Sequence, residues 1–89
     1  MRFSDFINRL LHLRLNIREG YWLQFKLGSG DTFTVSIGHE NYHGYKNSNV
    51  IFRKVLRNID PEAAWNDIYG KCLINDYINN DPDLFKEHP

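Results

Sequence analysis

The stretch Tyr21-Trp22-Leu23-Gln24-Phe25-Lys26-Leu27-Gly28-Ser29-Gly30-Asp31-Thr32-Phe33-Thr34-Val35-Ser36-Ile37 carries the strongest structural signal in the chain. Tyr21, Leu23, Phe25 and Leu27 alternate with Trp22, Gln24 and Lys26, and Phe33, Val35 and Ile37 alternate with Thr32, Thr34 and Ser36. A period of two is that of a strand with one apolar face. Ser29-Gly30-Asp31 has the composition of a hairpin turn. Closing the chain there pairs Leu27 with Phe33, Phe25 with Val35 and Leu23 with Ile37, so every apolar residue meets another. A slip of one residue would turn the whole set to the opposite face.

Toward the N-terminus, Ser4 is a candidate helix cap, with Asp5 complementing the dipole of the first turn. Phe3, Phe6, Ile7, Leu10 and Leu11 then share one helical face. From there Leu13, Leu15 and Ile17 alternate with His12, Arg14, Asn16 and Arg18. This segment reads as a strand that closes on Arg18-Glu19-Gly20 and pairs Ile17 with Tyr21, Leu15 with Leu23 and Leu13 with Phe25. The alternative is continuation of the first helix to about Ile17.

Toward the C-terminus, Gly38 to Asn49 is a loop by composition. Beyond it Ile51, Phe52, Val55, Leu56 and Ile59 fit a helical stripe capped by Ser48 or Asn49, with Arg53, Lys54 and Arg57 pointing elsewhere. Asp60-Pro61 starts a further helix, because Asp caps well and Pro is tolerated at the first helical position. Its stripe is Ala64, Trp65, Ile68, Tyr69, Cys72 and Leu73, continued by Tyr77 and Ile78, with Asn79-Asn80 as a C-cap. Asp81-Pro82 repeats the start signal for a last short turn before a frayed tail over about 81–89. The expected fold is therefore α+β within a single compact domain over residues 1–89. It has an N-terminal helix, a three-stranded antiparallel meander, and two or three C-terminal helices packed on one sheet face.

A chain of 89 residues permits one modest core, burying roughly 60–65% of its unfolded surface. Its apolar content of 42% and charged content of 25% are those of globular proteins rather than disordered ones. A lone cysteine, Cys72, forms no internal disulfide, and its place on the helical stripe favours packing. No apolar run reaches membrane-spanning length, and Arg2 and Asp5 interrupt what would be the apolar part of a signal peptide, so a cytoplasmic location with no membrane partner is expected. Charge is polarised: residues 1–57 hold nine basic and four acidic residues, and residues 58–89 hold two and seven. That polarity serves oriented docking or simply internal neutralisation.

Four patterns could carry function. His39-Glu40-Asn41-Tyr42-His43 matches the H-E-x-x-H string in which two imidazoles on one helical face hold zinc beside a glutamate base. Flanking Gly38 and Gly44, and the absence of an anchoring apolar stripe, argue against that helix, and no metal or other cofactor is assigned. Second, the outer sheet face would gather Arg14, Asn16, Trp22, Gln24, Lys26, Thr34 and Ser36, a tryptophan among cations and amides of the kind found in protein hot spots and single-strand stacking platforms. Third, Arg53, Lys54 and Arg57, with Arg14, Arg18, Lys26 and Lys46, could track phosphates. Fourth, Asp67 and Asp76 stand beside acids that capping explains, Asp60, Glu62, Asp81 and Asp83, and such an acidic cluster can compete for a basic groove made for nucleic acid.

The helix-strand-strand-strand-helix order resembles that of double-stranded-RNA-binding domains. Where that family opens its last helix with a lysine-rich KKxAK cluster, however, this chain reads Asn49-Val50-Ile51-Phe52-Arg53-Lys54. There is no Gly-rich phosphate loop or nucleophile elbow. The reading that results is a small non-enzymatic protein-binding module, an inhibitor or adaptor of a larger complex such as phages and mobile elements carry. Its binding residues are Trp22, Arg14, Gln24, Lys26, Tyr42, Tyr45, Arg53 and Arg57, and its partner is another protein or a ribonucleoprotein. A nucleic-acid-binding domain is the alternative, and a minimal zinc hydrolase the third choice.

Overall fold

The structure, a computed structural model, describes residues 1–58 and 60–79. The order of elements is helix α1 (Phe3–Leu15), strands β1 (Tyr21–Leu27), β2 (Thr32–His39) and β3 (Val50–Arg57), and helix α2 (Pro61–Ile74). A mixed α+β fold with a three-stranded antiparallel sheet is therefore present, with strand order β1-β2-β3. The described residues form two compact units. One combines residues 1–17 with residues 60–79, and the other spans residues 18–58.

The central hairpin has the expected register, with Leu23 opposite Ile37, Phe25 opposite Val35 and Leu27 opposite Phe33. Its turn closes through Gly28 N–H donating to the Thr32 carbonyl at 2.8 Å, while the Thr32 hydroxyl donates to the Ser29 carbonyl at 2.9 Å. Gly30 and Asp31 take left-handed backbone at φ 67° and 58°, which glycine adopts freely and aspartate tolerates in turns.

Two segments differ from the sequence reading. Residues 13–17 are not a strand: Leu13 and Leu15 complete α1, and Asn16 caps it by donating its side-chain amide to the His12 carbonyl at 2.9 Å. Leu15 is 82% exposed, so the alternation that suggested a strand came from a leucine that needs no apolar neighbour. Ile17 meets Ile78 in an isolated antiparallel bridge rather than Tyr21. Residues 50–57 are not a helix but the third strand, paired to β2 from Thr32–Arg57 through Phe33–Leu56 to Ile37–Phe52, with a bulge before Gly38–Val50. The β-branched Val50, Ile51 and Val55 and the aromatic Phe52 suit a pleated surface. Among the described residues there is consequently one helix after the sheet, α2. The proposed turn at Asp81-Pro82 and the tail over 81–89 lie outside the described residues.

In the helical unit α1 buries Phe6, Leu10 and Leu13, and α2 buries Ala64, Trp65, Ile68 and Cys72. Trp65 stacks on Tyr69 at 5.2 Å between ring centroids, and the Arg9 guanidinium sits 5.7 Å from the Trp65 ring. Ser4 does not cap α1. The helix begins after Arg2, whose N–H donates to the Asp5 carboxylate at 3.1 Å. Asp60 does cap α2, accepting from Glu62 N–H at 3.1 Å with Pro61 at the first helical position. At the other end α2 stops at Ile74, before Asn79. Asp76, at φ 60°, turns the chain so that Asp76 N–H donates to the Leu73 carbonyl at 3.3 Å and Tyr77 N–H to the Cys72 carbonyl at 3.0 Å. This is the Schellman arrangement with aspartate where glycine is usual.

Candidate binding face

Alternation along three paired strands sorts the sheet unit into two faces. One carries Leu23, Phe33, Val35, Ile37 and Leu56, all buried, with Phe25 and Phe33 rings 5.8 Å apart. The outer face carries Trp22, Gln24 and Lys26 from β1, Thr32, Thr34, Ser36 and Gly38 from β2, and Arg53, Val55 and Arg57 from β3. Cross-strand rows follow from the register: Trp22–Gly38–Val50, then Gln24–Ser36–Arg53, then Lys26–Thr34–Val55, then Thr32–Arg57. None of these outer strand positions is acidic. Residues 18–59 hold six basic and three acidic residues, so the sheet unit is the cationic one.

Arg53 and Arg57 thus join Trp22, Gln24 and Lys26 on one surface, which the sequence reading missed by placing them on a helix. Lys54 is on the opposite face, across from Val35. Arg14 and Asn16, expected beside Trp22, are instead on α1 and at its cap, outside the sheet register. Ser36 is 7% exposed. Its hydroxyl accepts from Arg53 Nε at 3.3 Å, which holds the guanidinium over the middle row. There the surface dips into an open basin of about 240 Å³ lined by Gln24, Lys26, Thr34, Ser36, Arg53 and Val55. Val55, 56% exposed, is an apolar element of this face, where the sequence reading put it on the buried stripe of a helix.

Trp22 is half-buried, and its role is partly structural. A Cβ placed on Gly38 would fall within the indole at Cζ2 and Cε2 and against the Asn49 carbonyl oxygen. The ring therefore lies across a strand glycine that has no side chain of its own, an arrangement that shields the glycine backbone. The signal was present in the sequence, as a Trp and a Gly at matching outer positions of adjacent strands.

Past the Trp22 end of the sheet, residues 40–49 form an ordered connection. The Asn49 side-chain amide donates to the carbonyls of Glu40 at 3.2 Å and Tyr42 at 2.9 Å, and Gly44 N–H donates to the Ser48 carbonyl at 2.8 Å. Lys46 and Asn47, at φ 55° and 60°, make the tip, where Ser48 N–H donates to the Tyr45 carbonyl at 3.1 Å. Tyr42 and Tyr45 are exposed, Tyr45 at 83%, with the Lys46 ammonium 5.3 Å from the Tyr45 ring centroid.

The His39–His43 string is not helical. His39 is the last residue of β2, Tyr42 N–H donates to its carbonyl at 3.0 Å, and Asn41 N–H donates to its Nδ1 at 3.0 Å. Its ring meets Tyr21 edge-on at 4.4 Å. The i, i+4 helical spacing that a zinc peptidase requires is therefore not formed. Among the described residues no group of three or more His, Cys, Asp or Glu is placed to hold a metal. Of the acidic residues, Asp60 is a cap, Glu62 lies in the first turn of α2 and Asp76 forms the C-terminal turn, while Asp81 and Asp83 lie outside the described residues. Cys72 is buried, and burial pushes its thiol up to about 12, so it stays protonated and unreactive at neutral pH. Among the described residues no helix is long and apolar enough to cross a membrane.

No family model, curated protein or solved structure matches the chain. The stretch compared with a lysine-rich helix start, Asn49 to Lys54, runs into β3 rather than a helix, and α2 opens with Asp60-Pro61-Glu62.

Proposed function

We propose that this protein is a small non-enzymatic binding module, acting as an adaptor or inhibitor, that docks a larger macromolecule on the outer face of its sheet. The observation that carries the reading is the convergence of Trp22, Gln24, Lys26, Arg53 and Arg57 on one face whose strand positions include no carboxylate. Such a face favours an anionic partner surface, because each unlike pair at close range is attractive and no acid at its strand positions offsets it. The exposed Tyr42 and Tyr45 supply aromatic contact area of the kind enriched in interfaces. The orderly hydrogen bonding of residues 40–49 lowers the entropy cost of using it.

Affinity capture from the native host with wild-type protein, Trp22→Ala and Lys26→Ala/Arg53→Ala tests this. The expected result is a stoichiometric partner retained by wild type and lost from both folded variants. A partner held equally by all three would move the binding site off the sheet.

A further inference from the structure

Resting on that assignment of the outer face, we infer that its basin is a phosphate seat for single-stranded nucleic acid, with Trp22 as the adjoining base-stacking platform. The donor set fits a phosphodiester. Lys26 offers an ammonium, Arg53 a guanidinium steadied by the Ser36 hydroxyl at 3.3 Å, Gln24 an amide and Thr34 a hydroxyl, all around one concavity. Donors from three strands surround a multi-oxygen anion better than a flat carboxylate, which a single arginine fork already satisfies.

The geometry favours a single strand over a duplex. A B-form major groove admits a helix or a two-stranded ribbon, whereas the cations here stand on the two outer strands of a three-stranded sheet, Lys26 on β1 and Arg53 and Arg57 on β3, about 10 Å apart before side chains are counted. The indole lies across Gly38 within the sheet surface rather than standing up from it, so a base must be unstacked to lie on it. The Trp22–Gly38–Val50 row is next to the basin row Gln24–Ser36–Arg53, about 7 Å along the strands. That separation matches a stacked base and its own phosphate. Aromatic stacking is sequence-tolerant, so composition rather than sequence preference is expected.

The test is fluorescence anisotropy with labelled short oligothymidylate, oligouridylate, a DNA duplex of the same length and a glutamate-rich peptide, across a salt series. The single strands should bind more tightly than the duplex and the peptide, and a duplex bound as tightly as the strands overturns the single-strand inference. Trp22→Ala should weaken single-strand binding about 5- to 150-fold. Lys26→Ala/Arg53→Ala should flatten the salt dependence by about 0.7 per cation removed. Lys71→Ala, a cation of the helical unit, should change neither. Circular dichroism checks folding; should Trp22→Ala unfold, Trp22→Phe with a smaller loss and Lys26→Gln/Arg53→Gln decide the matter. Peptide binding that depends on Lys26 and Arg53 without single-strand binding overturns the nucleic-acid inference and leaves the face assignment standing. Absence of binding to any probe also overturns the inference. Single-strand binding undiminished in every face variant overturns both.

Discussion

Gly38→Ala is the substitution that reads the outer face most sharply. The new methyl meets two obstacles, the Trp22 indole and the Asn49 carbonyl. The indole can swing away at the expense of its half-buried contact. The carbonyl cannot follow easily, because it accepts from His39 N–H at 3.1 Å and its own side-chain amide is committed to Glu40 and Tyr42. Overpacking of this kind costs about 1–3 kcal/mol, and two obstacles place the variant near the upper end. Gly38 has no positive φ, so removing a glycine also restricts the unfolded chain and returns about 0.4–1 kcal/mol. The first effect wins, leaving a net loss of about 2 kcal/mol, or a melting temperature lower by about 8–16 °C. Urea and thermal denaturation measure it. In a Trp22→Ala background the ring clash is gone and the carbonyl clash remains, so the same substitution should cost about 1 kcal/mol less, a coupling a double-mutant cycle resolves. A stabilising Gly38→Ala, or an identical cost in both backgrounds, would refute the placement of the indole across Gly38.

Two further predictions concern the helical unit. Asp76→Gly relieves left-handed strain at φ 60° in the turn that ends α2, and should stabilise the protein by about 0.5–1 kcal/mol in urea denaturation, with Asp76→Ala giving no gain. Cys72 should resist thiol reagents at pH 8 in the folded protein and react on denaturation. Because its folded value, about 12, lies above the ordinary thiol value, the unfolded state loses its proton first. The Cys72 contribution to stability therefore falls as pH rises through that window, by up to about 1.4 kcal/mol per pH unit. Comparing the alkaline stability slope of wild type with that of Cys72→Ala isolates it, and equal slopes would show the thiol to be accessible.

The parts of the fold that were legible were those with a single reading. Between Tyr21 and Ile37 the alternation, the turn and the apolar pairing agree, and the structure has that register. The misreadings arose where a short run satisfied two periods. Ile51, Phe52, Val55 and Leu56 fall on one helical stripe, yet in a strand Phe52 and Leu56 face inward while Val55 stands outside. Short apolar runs cannot decide between these, and the β-branched content was the better guide. Leu15, exposed on α1, produced the opposite error by counterfeiting a period of two. Three of the candidate residues, Trp22, Gln24 and Lys26, could be assigned to one face because their strand could be. Arg53 and Arg57 could not, since their arrival beside Lys26 depends on a long-range pairing with β2 that local sequence does not encode.

The most direct test of the central claim is a map of amide chemical-shift changes on titration with oligothymidylate. The perturbed amides should be those of the outer rows, at Trp22, Gln24, Lys26, Thr34, Ser36 and Arg53, together with the Trp22 indole N–H, while the indole N–H of buried Trp65 stays fixed. Changes confined to α2 or to residues 42–47, or movement of Trp65 without Trp22, would contradict the account.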